Sequence, residues 1–306
     1  MKLNKTEKIW MDGKFVDWDE AKIHVLTHAL HYGTAVFEGI RCYNTVKGPA
    51  VFRLRDHMKR LFNSAKIHTM KIPYEMDELS KVVKDTVKIN RIKECYIRPI
   101  VYRGYEEMGL NPLKNPVNVA IAVWPWGTYL GEEGLKKGVR CKISSWIRVD
   151  TRMLPPLAKS SANYLNSVLA KLEALNCGYD EAILLNMNGY VSEGPGENIF
   201  MVKDGCLITP PRSSGALYGF TMDSVMELAR EMSIPVAERE MIRDELLMAD
   251  EAFFTGTAAE LTPIREIDGR VIGSGSRGPL TKRLQDKFFE VVKGKDPQYE
   301  KWLDLV

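Results

Sequence analysis

The sequence predicts a mixed α/β chain of the α+β type, divided into two domains. Three observations lead there. A chain of 306 residues suits about two domains. Apolar patterns of helical and strand period interleave on both sides of one glycine-rich, mixed-charge stretch, GTYLGEEGLKKG. The composition, 45% hydrophobic and 27% charged, is that of an ordinary globular protein able to bury a large core. The expected division is a small N-terminal α/β domain at 1–126, a linker at 127–138 and a large C-terminal α/β domain at 139–306, with a cleft between the domains.

Each element has a local reason. Residues 8–16 form a hairpin around Asp12-Gly13. Residues 36–43 and 50–54 are a strand pair around the turn Lys47-Gly48-Pro49. Residues 55–68 are a helix, because Leu54, Met58, Leu61, Phe62 and Ala65 recur on one face. Residues 76–89 are a second helix with Leu79, Val82 and Val83 turned inward, followed by strands at 95–102 and 117–124, the latter apolar enough to be central. Beyond the linker come a strand at 140–149 and a helix at 162–176 that Gly178 stops. A hairpin follows at 181–185 and 190–192 across Asn188-Gly189, then a helix at 221–232, a strand at 251–254 and a last helix at 280–292.

Charge and cysteine usage exclude several classes. The net charge of +3 is spread along the chain, so neither nucleic acid nor an anionic membrane is expected as partner. The five cysteines, Cys42, Cys95, Cys141, Cys177 and Cys206, are odd in number and form no C-x-x-C pair, against a disulfide framework or a zinc site. The start, MKLNKTEKIWMDGKFV, lacks a signal peptide's apolar core, and no apolar run reaches the ~18 residues a membrane span needs. A reducing cytoplasm is the expected location. All five histidines lie in the first 70 residues, so acid–base chemistry elsewhere must use Lys, Tyr, Asp or Glu.

The segment RVDTRMLPPLAKSSANYLNS (148–167) stands out. Lys159 sits between Ala158 and Ser160, small enough for a planar ring to approach the backbone, and follows the apolar Leu154, Pro155, Pro156 and Leu157, which disfavour an ammonium. A lysine of this kind suits imine chemistry with pyridoxal phosphate. That cofactor also needs a carboxylate at its ring nitrogen, helix-start N–H groups and an arginine for its phosphate, and a donor for its phenolic oxygen. Glu193, opening the loop Gly194-Pro195-Gly196, offers the carboxylate. Gly219, Phe220 and Thr221 lead into a helix that Thr221 can cap, and Thr255-Gly256-Thr257-Ala258-Ala259 follows a strand similarly. Tyr164 offers the phenolic donor. Taken singly, each also fits a surface lysine, a surface hairpin, an ordinary capped helix or a core tyrosine. Arg60, off the apolar stripe of its helix, reads by pattern alone as a solvated residue.

Together the pieces resemble the branched-chain amino acid aminotransferases, class IV enzymes of pyridoxal-phosphate fold type IV (D-amino acid aminotransferase-like). The motifs are HYGTAVFEGIR (31–41), RLRDHMKRL (53–61), YIRP (96–99), MGLNP (108–112), PWGTYLG (125–131), AKSSANYLNS (158–167), GYVSEGPGENIF (189–200), LITPP (207–211) and FTGTAAELTPIREIDG (254–269). The resemblance implies two domains with pyridoxal 5′-phosphate in the cleft between them. It implies that Lys159 carries the cofactor covalently, Glu193 meets the ring nitrogen and Tyr164 the phenolic oxygen, and that Arg60, Gly219, Phe220, Thr221 and Thr257 hold the phosphate. The substrate carboxylate would meet Thr257, Ala258 and Tyr96. Tyr32, Phe37, Gly39, Met108, Leu110, Trp126 and Tyr129 would line the side-chain pocket, partly from a neighbouring subunit. A homo-oligomer follows, at least a dimer, with a hexamer (a trimer of dimers) also compatible. One departure is Tyr218-Gly219-Phe220-Thr221-Met222, where related chains often carry Pro-Gly-Ile-Thr-Arg.

The implied reaction moves the amino group of L-leucine, L-isoleucine or L-valine reversibly to 2-oxoglutarate, as in branched-chain amino acid biosynthesis, with Lys159 shuttling the α-proton. Arg98 is expected to bind the distal carboxylate of glutamate, which an apolar pocket would reject. The nearest alternative is another fold type IV enzyme, a D-amino acid transaminase or an aminodeoxychorismate lyase. Gly273–Gly278 matches G-x-G-x-x-G, but only 28 residues remain after it, too few for a dinucleotide unit, so it reads as a turn before the last helix. His24, His28 and His31 would share a face if helical, a weak metal signal; no metal is expected.

Overall fold

A computed structural model describes residues 3–127 and 130–306, without the Glu132 side chain. Two units separate: Met1–Trp126 with Ala158–Ala162 and Glu290–Val306, and Gly127–Leu157 with Asn163–Phe289. The chain therefore returns twice to the first unit from the stretch expected to be one C-terminal domain.

The first unit is built on an antiparallel sheet. Across it run Leu303–Leu305, Gly48–Phe52, Ile40–Thr45, Cys95–Arg103, Val117–Trp124, Lys8–Met11 and Lys14–Asp17. The hairpin turns at Asp12-Gly13, both at positive φ, and sets Trp10 opposite Phe15. The expected 36–43 strand is interrupted. Ala35–Phe37 and Ile40–Thr45 both pair with Cys95–Arg103 in one continuous register, Phe37 opposite Ile100 and Ile40 opposite Ile97. Between them Glu38 N–H donates to Pro99 O at 2.9 Å. Pro99 has no N–H to return, so the ladder breaks there.

The helices Leu54–Ile67 and Met76–Ile89 cover this sheet. Leu54, Met58, Leu61 and Ala65, with Leu79, Val83 and Val87, bury against Trp10, Ile97, Val101, Val119, Ile121 and Val123. The first helix starts one residue earlier than expected, after Arg53 at φ 53°. Two distant segments complete the unit: Leu303–Leu305 extends the sheet beside Gly48–Phe52, and Ser160 bridges Val36.

The second unit holds a mixed sheet, ordered Val191–Glu193, Glu181–Leu185, Val139–Ile143, Glu260–Ile267, Glu251–Gly256, Asn198–Lys203, Cys206–Thr209 and Val236–Glu238. Its core gathers Ile143, Ile183, Ile199, Met201, Phe254 and Ile264. Several expectations change here. Gly131–Lys137, inside the expected linker, is a helix. The 140–149 strand is only Val139–Ile143. The next helix is Tyr164–Asn176, after a 3-10 turn at Ser161–Asn163, and stops at Cys177 and Gly178 (φ 79°). The strands Asn198–Lys203, Glu260–Ile267 and Val236–Glu238 were not anticipated; the last is three residues long and pairs in parallel with Cys206–Thr209.

The glycine-rich 273–278 stretch precedes the helix Pro279–Val292, whose first turn is already engaged. Glu251 accepts from Leu280 N at 2.9 Å, Thr281 N at 2.7 Å and Thr281 Oγ1 at 2.6 Å. The cysteines are free thiols. No described helix is long and apolar enough to cross a membrane.

Candidate active site

Lys159 is placed by backbone pairing. Its carbonyl accepts from Phe37 N at 3.0 Å, and its own N–H donates to Ser64 Oγ at 3.0 Å. The segment thus adds to the free edge of Ala35–Phe37, and Nζ comes 5.3 Å from the Phe37 ring centre. Burial, helped by the Arg60 guanidinium, pulls the amine down to about 8, with Glu38 pulling the other way.

Arg60 is not solvated. Its side chain is only 12% exposed; Nε meets Glu38 Oε1 at 2.6 Å and Nη2 meets Oε2 at 2.9 Å. The pattern misled because the apolar stripe of Leu54–Ile67 faces the sheet, while Arg60 reaches a carboxylate at the strand break. Glu38 is wholly buried and also accepts from His57 Nδ1 at 2.7 Å. Burial opposes its charge, but Arg60 and His57 outweigh that and hold the carboxyl well below the usual range. His57 in turn is pushed down by burial.

Around the lysine lies an aromatic wall. Phe37 and Tyr96 are buried, Trp126 lies 4.6 Å from Tyr96 between ring centres, and a Cβ on Gly39 would fall 1.9 Å from Tyr96 Oη. Gly39 is therefore required by close approach. Arg98 stands over Phe37, with Cζ 4.6 Å from the ring centre, and its buried Nε has no partner among the described residues. Tyr32, Met108 and Leu110 do not join this group as an enclosed lining. They are 40%, 48% and 86% exposed. Tyr129 lies outside the described residues.

In the second unit Glu193 ends the strand Val191–Glu193, only 5% exposed. Oε1 pairs with Arg148 Nε at 2.8 Å, and Oε2 accepts from Leu217 N at 3.0 Å and Asn198 Nδ2 at 3.4 Å. Asn198 Nδ2 also donates to Leu217 O at 2.7 Å, and its Oδ1 would lie 2.0 Å from a Cβ on Gly219. One amide thus ties the ring-nitrogen candidate to the phosphate-loop candidate. Thr221 is not the helix cap: the helix runs Phe220–Glu231 with Gly219 as its cap residue, so Phe220 and Thr221 supply first-turn N–H groups. Tyr218 is occupied locally, donating to Asp223 Oδ1 at 2.6 Å under the Arg212 guanidinium. Thr257 and Ala258 sit half-buried on the turn after Glu251–Gly256, where Gly256 packs on the Gly194–Glu197 loop. Tyr164 opens the helix Tyr164–Asn176.

Two of the three histidines weighed as a metal signal, His28 and His31, are engaged elsewhere. His28 meets Thr34 Oγ1 and Gly109 O, each at 2.8 Å, and His31 meets Val25 O at 2.9 Å. Among the described residues no cluster could hold a metal.

Residues 35–267 match the model of the family described as amino-transferase class IV. The chain belongs to that family. A branched-chain-amino-acid aminotransferase of Escherichia coli (strain K12) is 48% identical over 307 residues, covering 100% of this chain and 99% of the relative. The crystal structure of the Escherichia coli enzyme superimposes with a TM-score of 0.96 at 48% identity, covering 98% of this chain and 99% of that one. The T.th. branched-chain amino acid aminotransferase with pyridoxamine 5′-phosphate gives 0.95 at 50% identity, with the same coverage, and has also been solved with N-(5′-phosphopyridoxyl)-L-glutamate. These likenesses favour a branched-chain enzyme over the other fold type IV activities.

Class IV aminotransferases use pyridoxal phosphate, and the residues here fit it. A depressed amine, a buried carboxylate, a helix start and an arginine are the donor set the cofactor requires. Arg98 adds a half-buried cation whose Nε, itself buried, has no hydrogen-bond acceptor among the described residues. Reading the sequence missed Glu38, His57, Arg148 and Asn198. Glu38 did lie inside the VFEGIR motif, but nothing local marked it as buried.

Proposed function

We propose that this chain is a branched-chain-amino-acid transaminase acting in leucine, isoleucine and valine biosynthesis. It exchanges the amino group of L-leucine, L-isoleucine or L-valine with 2-oxoglutarate, giving branched-chain 2-oxo acids and L-glutamate, reversibly. The observation that carries this reading is the end-to-end likeness to enzymes of that name, with Lys159 presented as a depressed amine.

When bound, the cofactor supplies a protonated ring that withdraws electrons from the substrate α-carbon. Lys159 Nζ would be its attachment point, and this amine would take the proton from the substrate Cα and give it back. Glu193 would pair with the ring nitrogen and Tyr164 with the phenolic oxygen. Arg60, Thr257 and the loop Gly219-Phe220-Thr221 would hold the phosphate. Backbone groups at Thr257 and Ala258, with Tyr96, take the substrate carboxylate. Phe37, Gly39 and Trp126 accept the branched side chain by burial, at about 0.8 kcal/mol per methylene. Arg98 binds the distal carboxylate of glutamate.

Tyr32, Met108, Leu110 and Tyr129 are proposed to complete a pocket in an assembly, at least a dimer and up to a hexamer. The exposure of Leu110 supports this, as does the apolar outer face of Tyr164–Asn176, where Leu165, Val168, Leu172 and Leu175 are all exposed. The proposed location is the cytoplasm.

The test is a half-reaction panel. Purified protein loaded with cofactor is mixed with L-leucine, L-valine, L-glutamate, D-alanine and an aromatic amine, and the visible spectrum is followed. Rapid bleaching with the first three supports the reading; bleaching by D-alanine alone would replace it. Borohydride reduction should leave the pyridoxyl group on the Lys159 peptide.

A further inference from the structure

The Glu193 carboxylate is more fully engaged than contact with a ring nitrogen requires. Its ion pair with Arg148 is 2.8 Å long, and the two side chains, Arg148 and Glu193, are only 5% and 6% exposed. Arg148 is itself held in place. Its N–H donates to Leu185 O at 2.8 Å, Nε lies 3.3 Å from Gly215 O and Nη1 lies 3.5 Å from Ser167 Oγ. The other Glu193 oxygen is fixed by Leu217 N at 3.0 Å and Asn198 Nδ2 at 3.4 Å. Cations are rarely buried unless paired, and here the partner of the guanidinium is the one carboxylate assigned to the ring.

We propose that Arg148 is a positioning residue for the reaction: by pairing with Glu193 it keeps that side chain an anion, and so leaves the proton of the ring nitrogen on nitrogen. This rests on the reading of Glu193 given above. A proton shared between a ring nitrogen and a carboxylate goes to the stronger base. Burial without a cation makes a carboxylate more basic; a guanidinium on its oxygen makes it less so. Removing Arg148 moves the proton from nitrogen to the Glu193 oxygen. The N–H bond breaks as the O–H bond forms, and the ring loses its positive charge. Arg148 acts through Glu193, the carboxylate it pairs with. Asn198 directs the second oxygen.

The experiment uses holoenzyme loaded with cofactor carrying nitrogen-15 in its ring, so that the resonance reports whether the nitrogen is protonated. The wild type is compared with two neutral variants, Arg148→Gln and Arg148→Met, and the charge-retaining Arg148→Lys. The expected result is a protonated ring in the wild type and in Arg148→Lys. Both neutral variants should shift toward the unprotonated position. Turnover with leucine should fall about tenfold or more in the neutral variants, with KM little changed, because a chemical step rather than binding is impaired. Should Arg148→Met not fold, Arg148→Gln carries the same comparison. Neutral variants that keep the wild-type resonance would overturn the proposal, as would a shift in Arg148→Lys equal to theirs. A wild-type ring without its proton would instead overturn the assignment of Glu193.

Discussion

Each unit buries a carboxyl group, and the two groups behave oppositely. Glu38, wholly buried in the first unit, is held well below the usual range because Arg60 and His57 outweigh the cost of burial. Glu197, 4% exposed in the second unit, is pushed up to about 8 by burial, with the charge of Glu181 adding to it. Against this it has a Gly196 N–H at 3.0 Å and the more remote Lys171. Depth is therefore not what decides ionisation; partners are. Glu38 is an anion that aims an arginine. Glu197 is a neutral acid that struts the loop following Glu193.

The contrast is broken most severely at Glu38. Glu38→Ala leaves Arg60 and His57 buried without their anion and should cost about 3–5 kcal/mol in denaturant unfolding. Glu197→Gln replaces one neutral hydrogen-bonding group by another, and should be neutral or stabilising at neutral pH. Equal losses would dissolve the distinction. The pH dependence must also differ in sign. With its folded pKa depressed, Glu38 contributes stability that is present above 4.5 and lost as pH falls through its folded value. His57, also depressed, adds loss below 6.5, where only the unfolded chain takes up the proton. With its folded pKa raised, Glu197 contributes stability that is present below 4.5 and lost as pH rises to about 8. Melting temperature against pH should lose its alkaline decline in Glu197→Gln and keep its acid one.

Arg98 sharpens the comparison as a cation whose buried Nε has no acceptor among the described residues. Its carboxylate is expected from the substrate. Arg98→Ala should lower kcat/KM for glutamate about 10–100-fold more than for leucine, the worth of a charged hydrogen bond. Equal losses would assign Arg98 to packing. The smallest expected effect is at Lys159, whose amine is pulled down to about 8 by burial first. Below that pH it is mostly protonated and unreactive. Attachment of cofactor to the apoprotein should therefore quicken about fivefold from pH 7 to 8 and then level off. Because Glu38 holds the proton on Lys159, Glu38→Gln should move that plateau to lower pH.

Part of the candidate site was legible in local pattern. Small residues flanking Lys159, a carboxylate ahead of a Gly-Pro-Gly turn, and a glycine before Phe220 are neighbours in sequence, so they could be picked out as candidates, while their roles came from the resemblance. The helix Met76–Ile89 was delimited by period alone, since its buried Leu79, Val83 and Val87 form one stripe. What failed was anything set by a distant partner. Arg60 looked solvated because its acceptor is 22 positions away. Arg148 was passed over although it opens the lysine segment, because Glu193 comes to it through the pairing of Glu181–Leu185 with Val139–Ile143 and Val191–Glu193. The linker was misjudged because glycines at 127, 131, 134 and 138 outweighed the short helical pattern of Gly131–Lys137.

By itself the sequence determined the chemistry available: a lysine able to become an amine, a carboxylate on a stiff turn, a glycine-led helix start, and the periodicities of the elements that carry them. These are properties of residues within a few positions of one another, where chain geometry leaves few choices. Only the tertiary structure decided which charges survive burial, that Glu38 stays an anion while Glu197 is driven toward the acid, and that residues 158–162 and 290–306 belong with the first unit. The reason is that charge state and pairing depend on groups brought near by sheet register, across tens or hundreds of residues, and no local pattern encodes that distance.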